Sequence, residues 1–218
     1  MGSNALIEIC ELFYSIQGES SYAGYPCFFI RLAGCNLHCT YCDTHYAYEG
    51  KHSSYSISKI LHELENYPGV IVEITGGEPL LQKNVYPLFD ALLSRNRTVL
   101  LETNGSINLG EVPPAVVKVL DIKCPGSGMH EKMDFSNFAF LNPKDEIKFV
   151  IGSRDDYEYA CDIISVYKLQ ELTILTFSPV TSLLPPSILA DWILADLLPV
   201  RLRLQLHTVL WPEKTRGY

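Results

Sequence analysis

Residues 28–44 read FFIRLAGCNLHCTYCDT, an apolar run, a glycine, and then cysteines at positions 35, 39 and 42 followed by an acid and a hydroxyl. FFIRL has the aromatic and β-branched content of a strand, and Gly34 and Asn36 turn it into a loop. The cysteines therefore sit beyond the carboxyl end of a strand, where α/β folds collect their chemistry. A structural zinc site wants four protein ligands, and no second CxxC or HxxxH pair occurs elsewhere. A catalytic zinc held by three cysteines and water stays open. So does an iron–sulfur cubane whose fourth iron is left for an outside ligand.

Outward from this loop, β-rich runs at 6–14, 27–32, 70–75, 98–102, 116–122, 146–151, 173–177 and 201–207 alternate with helical patterns. Several are nearly all apolar, which predicts strands covered on both faces. Ile57, Ile60, Leu61 and Leu64 repeat at helical spacing, as do Val85, Leu88, Phe89 and Leu92. Ser153 before Arg154-Asp155-Asp156 reads as a capped helix start, and Pro185-Pro186 as another. The connections at 104–115 and 124–144 carry no helical pattern and are rich in Gly, Pro and Asn. The order implies a largely parallel sheet with right-handed crossovers. A full eight-fold barrel needs about 250 residues and more helices. The expectation is an α/β fold, an incomplete, reduced (β/α) barrel with mostly parallel strands, in a single domain over residues 1–218.

With 218 residues and 47% apolar composition the chain can bury a substantial core. A formal net charge of -8 without a run of Lys or Arg argues against a nucleic-acid partner. No basic start leads into an apolar run, and no segment approaches the roughly 18 apolar residues of a spanning helix, so no membrane partner and a cytoplasmic location are expected. Residues 1–5 are given no structural weight. Seven cysteines in such a chain do not suggest a disulfide framework. Cys10, Cys27, Cys124 and Cys161 read as small buried hydrophobes.

CxxxCxxC with an aromatic, Tyr41, before the last cysteine resembles the signature of the radical S-adenosylmethionine superfamily. TGGEP at 75–79, one β/α unit later, extends the resemblance. It implies that Cys35, Cys39 and Cys42 hold a catalytic 4Fe-4S cluster, with Tyr41, Cys42 and Asp43 beside the cofactor. Gly76, Gly77 and Glu78 would hold the methionine amino group of S-adenosyl-L-methionine, the glycines allowing close backbone approach. ETNG at 102–105, DIKCP at 121–125 and FSP at 177–179 look like the remaining cofactor-binding strand ends, through Thr103, Asn104, Lys123, Cys124, Pro125 and Ser178.

FYSIQGES at 13–20, Arg31, Asp43-Thr44 and the ending QLHTVLWPEKTRGY at 205–218 resemble the 7-carboxy-7-deazaguanine synthase family over essentially the whole chain. That resemblance implies a lyase of queuosine and other 7-deazapurine biosynthesis, in the tRNA modification pathway. Such enzymes take 6-carboxy-5,6,7,8-tetrahydropterin, abstract hydrogen at C6 with a 5′-deoxyadenosyl radical, rearrange the ring with loss of ammonia, and require Mg²⁺. Ile16, Gln17, Gly18, Glu19 and Thr75 would line the pterin site, and Arg31 would pair with an anionic part of the substrate. The carboxylate of Tyr218 would read the pterin edge, and Thr44 would give Mg²⁺ an oxygen, which suits a hard cation with few protein ligands. His38, His45 and His207 are assigned no ligand role. A homodimer and an external electron donor such as flavodoxin or ferredoxin are implied as partners.

A glycyl-radical-enzyme activase shares CxxxCxxC and GGEP but lacks FYSIQGES, and a non-catalytic iron–sulfur or zinc protein needs only the cysteines. Anaerobic reconstitution should load about four irons per chain. Alanine at Cys35, Cys39 or Cys42 should abolish turnover, whereas Cys161→Ala should cost only about 1–2 kcal/mol of packing. One zinc and no iron by elemental analysis would rule the cluster out.

Overall fold

The computed structural model describes residues 6–214, 216 and 217. Its nine strands are β1 (Leu6–Ile16), β2 (Pro26–Leu32), β3 (Ser53–Ser56), β4 (Ile71–Gly76), β5 (Val99–Thr103), β6 (Val117–Ile122), β7 (Glu146–Ile151), β8 (Ile174–Pro179) and β9 (Arg201–Leu202). They form one open sheet in the order β3-β1-β2-β4-β5-β6-β7-β8-β9. From β2 onward every neighbouring pair is parallel, while β1 runs antiparallel to both β2 and β3. The mostly parallel, incomplete barrel matches the expectation from sequence.

The helices are α1 (Tyr46–Glu49), α2 (Ile57–Leu64), α3 (Val85–Leu93), α4 (Arg154–Tyr167), α5 (Pro186–Ala195) and α6 (Leu206–Leu210). Ser56 caps α2 by accepting from the Lys59 amide, and Ser153 caps α4 by accepting from Asp156. Leu61, Phe89, Tyr157 and Leu189 bring α2, α3, α4 and α5 into one core with alternate strand residues such as Ile30, Ile74, Leu101, Ile122 and Phe149. Among the described residues no helix is long and apolar enough to cross a membrane.

The expectation of strands covered by apolar groups on both faces is corrected here. Along β4, Val72 and Ile74 enter the core, while Glu73 and Thr75 face a cavity on the other side. Arg31, Asp121, Lys148 and Ser178 take the same side from β2, β6, β7 and β8. The inner surface of the partial barrel is thus polar.

A second correction concerns residues 201–207, where alternation predicts a strand. Only Arg201–Leu202 pairs, with Thr176 and Phe177, and the Arg203 amide makes a last bond to the Phe177 carbonyl. The Leu206 amide then donates to the Gly18 carbonyl at 2.9 Å, and the chain turns into α6. β3 and α1 are further elements that the sequence patterns do not reveal: Ser53–Ser56 is a polar edge strand, and Tyr46–Glu49 is too short for periodicity to show.

Because β1 is antiparallel, its end at Ile16 lies beside the start of β2. Residues 17–25 therefore leave at the amino end of the parallel strands and cross beneath them. Ser21 donates from both its amide and its hydroxyl to Glu146 at the foot of β7, each at 2.8 Å. This loop floors the barrel opposite the cysteine loop.

Away from the cavity, the Lys118 ammonium is buried at 3.0 Å from Asp145, which also accepts the Lys118 and Asn142 amides. Removing only one partner strands a buried charge. Asp145→Ala should therefore lower unfolding stability by about 3–5 kcal/mol, read from the denaturant midpoint.

Candidate active site

The cysteine loop leaves β2 and folds over the end of β4. Gly76, at φ +143°, and Gly77 lie so close beneath it that an added Cβ would meet the Leu32 carbonyl oxygen at 2.2 Å or that of Gly34 at 2.1 Å. Here glycine is required by contact, since backbone packs on backbone. The Gly77 amide donates to the Leu32 carbonyl, and the Glu78 amide donates to that of Gly34. Thr40 ties the loop's far side to the turn after β6, through its hydroxyl to Gly126 at 2.7 Å and its amide to Ser127 at 3.1 Å. The Tyr41 hydroxyl reaches the Val150 carbonyl.

Cys35, Cys39 and Cys42 open from this loop onto one cavity of about 350 Å³. Sulfur-directed donors already aim at two of them, the Thr44 amide at Cys42 and the Asn104 amide nitrogen at Cys35. Burial pushes the Cys39 and Cys42 thiols up, so iron binding there displaces protons. Three convergent thiol side chains with such donors fit a 4Fe-4S cluster. Among the described residues, no three His, Cys, Asp or Glu side chains gather as ligands of a single ion. Thr44 Oγ1 lies 2.7 Å from Asp43 Oδ1, a pair of hard oxygens that fits Mg²⁺.

The interior polar groups form one network. Lys148 donates to Glu19 at 2.7 Å and to Glu102 at 2.5 Å, with Asp121 at 3.6 Å. Burial alone would lower its pKa, but Glu102, Glu19 and Asp121 outweigh burial and hold it well above the usual lysine range. Lys148 is thus held in place as the cation at the centre of three carboxylates. Asp121 also accepts from Lys123 at 2.8 Å, yet its Oδ1 is buried with no hydrogen-bond partner among the described residues. A donor hydrogen on a bound molecule would complete it, as a cofactor or substrate in this cavity can. Gln17 bonds Glu73 from the floor and accepts from the Glu19 amide. Burial, reinforced by Glu102 and Glu19, holds the Glu73 carboxyl well above the usual range.

Most residues singled out from sequence line this cavity: Ile16 to Glu19 on the floor, Arg31 and Thr75 on the wall, and Tyr41, Asp43, Thr44, Thr103, Asn104, Lys123 and Ser178 toward the cysteine end. Three do not. Cys124 is fully buried in the apolar core, and Pro125 starts a helical turn behind the wall. Glu78 is also fully buried, and both carboxylate oxygens are occupied by the Leu80 and Asn104 amides and the Thr103 hydroxyl. Gly76 and Gly77, not the Glu78 side chain, form the cavity wall there, and Glu78 braces β4 against β5. Tyr218 lies outside the described residues.

The reading from sequence missed Glu73 and Lys148 and gave no role to Glu102 and Asp121 within ETNG and DIKCP, although each stands at an alternate position of its strand. It also missed Gln205, whose amide nitrogen donates to Glu19 at 2.8 Å and Asp43 at 3.2 Å, joining floor to cysteine loop. His207 lines the cavity too, and an added Cβ on Gly18 would meet its Nδ1 at 2.5 Å.

Burial raises the Glu78 carboxyl to about 6, despite its donors. A carboxyl raised in the folded state adds stability below its unfolded pKa and loses it as pH rises through the folded value. Glu78→Gln should thus flatten the fall in stability between about pH 4.5 and 6, a term on the order of 2 kcal/mol, followed by denaturant midpoints.

The Radical SAM superfamily model matches residues 29–168. The chain is 44% identical to 7-carboxy-7-deazaguanine synthase of Chlorobaculum tepidum over 100% of both chains. It is 42% identical to the Koribacter versatilis synthase, over 97% of this chain and 100% of that protein. Among solved structures, QueE from Escherichia coli superposes with a TM-score of 0.77 at 24% identity, covering 93% of this chain and 95% of that one, which supports the fold. These matches leave the activase and non-catalytic readings without support. A strand-end cysteine loop over a GG cradle, together with full-length likeness to named synthases, places this chain in the 7-carboxy-7-deazaguanine synthase family of the radical S-adenosylmethionine superfamily.

Proposed function

We propose that this chain converts 6-carboxy-5,6,7,8-tetrahydropterin to 7-carboxy-7-deazaguanine with loss of ammonia. The observation that carries the reading is a single cavity supplied from both ends, with three thiols above and the Gln17–Glu19 loop below. Bound together, the 4Fe-4S cluster and S-adenosyl-L-methionine supply the radical chemistry. The protein's own groups hold and orient. Asn104 and Thr44 place donors on the sulfur ligands, and the glycine pair lines the cavity while seating the cysteine loop against its backbone. Lys148 fixes Glu19 and Glu102 through its two ion pairs, which places their oxygens to accept hydrogen bonds from an amino-bearing ring. Arg31 is held through Nε by Glu11 at 2.7 Å and flanked by Phe13 and Tyr46. It presents the rest of its guanidinium to an anion. The enzyme acts in the cytoplasm as a homodimer, and a flavodoxin or ferredoxin supplies the electron.

Anaerobic incubation with the carboxytetrahydropterin, S-adenosyl-L-methionine, magnesium and dithionite tests the reading. Release of ammonia and 7-carboxy-7-deazaguanine is expected, and cofactor cleavage without pterin conversion would overturn it. Thr44→Val keeps the shape and removes the oxygen beside Asp43. It should weaken apparent magnesium affinity by at least the 10- to 100-fold typical of losing a supporting group at a metal site. A wild-type rate with an unaltered magnesium response would make Thr44 structural.

A further inference from the structure

The chain's last turns bring a second guanidinium to the wall that carries Arg31. After α6, the Trp211 amide donates to the His207 carbonyl and the Lys214 amide to that of Trp211. The Lys214 ammonium lies 5.3 Å from the centre of the Trp211 ring. Arg216 and Gly217 join the lining of the cavity. The Arg216 guanidinium stands 4.0 Å from the centre of the Tyr46 ring, close contact for a cation on an aromatic face.

Tyr46 is a rigid platform for it. Its hydroxyl donates to Glu11 Oε1 at 2.9 Å, the same oxygen that accepts from Arg31 Nε. The Arg31 guanidinium also lies 5.9 Å from the Tyr46 ring centre. One ring therefore gathers two guanidinium groups, and one carboxylate is shared between that ring's hydroxyl and Arg31. Among the described residues no carboxylate stands within ion-pair reach of Arg216. Glu11 and Asp43 act on Arg31, which leaves Arg216 as the guanidinium of this corner without an ion-pair partner among the described residues, in a cavity that also holds Glu19, Glu73, Glu102 and Asp121. An anionic ligand group would balance Arg216, and a carboxylate is an anion whose geometry guanidinium donors match.

We infer that Arg216 is a specificity-determining residue: stacked on Tyr46, it adds to Arg31 the second positive group by which this wall selects a carboxylate-bearing pterin over a neutral one. The inference rests on the substrate reading above and adds a selectivity that reading does not assign. It needs no chemistry to be tested, because selection is a difference in binding.

The test is a fluorescence titration of the reconstituted protein with 6-carboxypterin and with 6-hydroxymethylpterin, two stable oxidised probes that differ in this one group. The wild type should prefer the carboxylate. Arg216→Ala should weaken 6-carboxypterin by about three- to thirty-fold, the size of one partly buried guanidinium interaction, and leave 6-hydroxymethylpterin within about twofold. Arg216→Lys should recover part of the loss. Tyr46→Phe, which keeps the ring, should retain most of the selectivity, and Tyr46→Leu should remove the effect of a further Arg216→Ala change. Equal losses for both probes would reduce Arg216 to packing of the tail and overturn the inference. So would unchanged affinity, or losses from Tyr46→Leu and Arg216→Ala that simply multiply. If the wild type selects 6-carboxypterin through Arg216 but converts no carboxytetrahydropterin, the functional reading fails and this one stands. Normal conversion with undiminished selectivity in Arg216→Ala would leave the functional reading intact and end this one.

Discussion

A lysine ammonium can be buried in a protein only among groups that return what water gave it, and Lys148 meets Glu19, Glu102 and Asp121. Those three carboxylates come from the floor loop, β5 and β6, so one cation on β7 joins the amino end of the barrel to its middle. Lys148 also offsets the pressure that burial, Glu102 and Glu19 put on the Glu73 carboxyl. The antiparallel β1 leads to the same contact. Only a strand that runs against β2 delivers residues 17–25 to the foot of β7, where Glu146 and Lys148 hold them.

The upper end depends on a different contact, backbone against backbone. Gly76 and Gly77 let the cysteine loop settle directly on the end of β4, and Thr40 and Tyr41 fasten its far side to the turn after β6 and to the last residues of β7. The thiols are thereby fixed by at least three strand ends rather than by their own loop. Glu78 belongs to this scaffold. Its place in GGEP suggests a contact with the cofactor, but its two oxygens hold the start of the turn after β4 to the end of β5. A motif letter can be required for a support role while its neighbours' backbone faces the ligand.

Much of the architecture was legible in the sequence because it rests on strong local signals. Apolar runs marked seven of the eight anticipated strands to within one or two residues, and Ser153 and Pro186 opened helices where caps and proline do. The cavity network was less legible for a physical reason. In IVEIT, LLET, LDIK and EIKFV the charged residues stand at every second position, a period-2 signal set among so many apolar neighbours that the runs look uniformly buried. A barrel whose outside is packed under helices and whose inside is polar writes this pattern, and hydrophobic content alone conceals it. Counting alternation would have found Glu73, Glu102, Asp121 and Lys148 together.

The C-terminal segment shows where pattern fails outright. RLRLQLH alternates as well as any strand in the chain, yet β8 can take only Arg201 and Leu202 as partners before the Leu206 amide finds the Gly18 carbonyl. A strand there needs an uninterrupted neighbour, and the competing bond comes from a loop nearly two hundred residues earlier in the chain. No local window contains that competitor. Gln205 gains from the detour two carboxylates that a strand position would not have offered it, Glu19 below and Asp43 above. The departure from the sheet is thus what lets Gln205 join the floor to the cysteine loop, while Arg216 further along reaches the Arg31 wall of the same cavity.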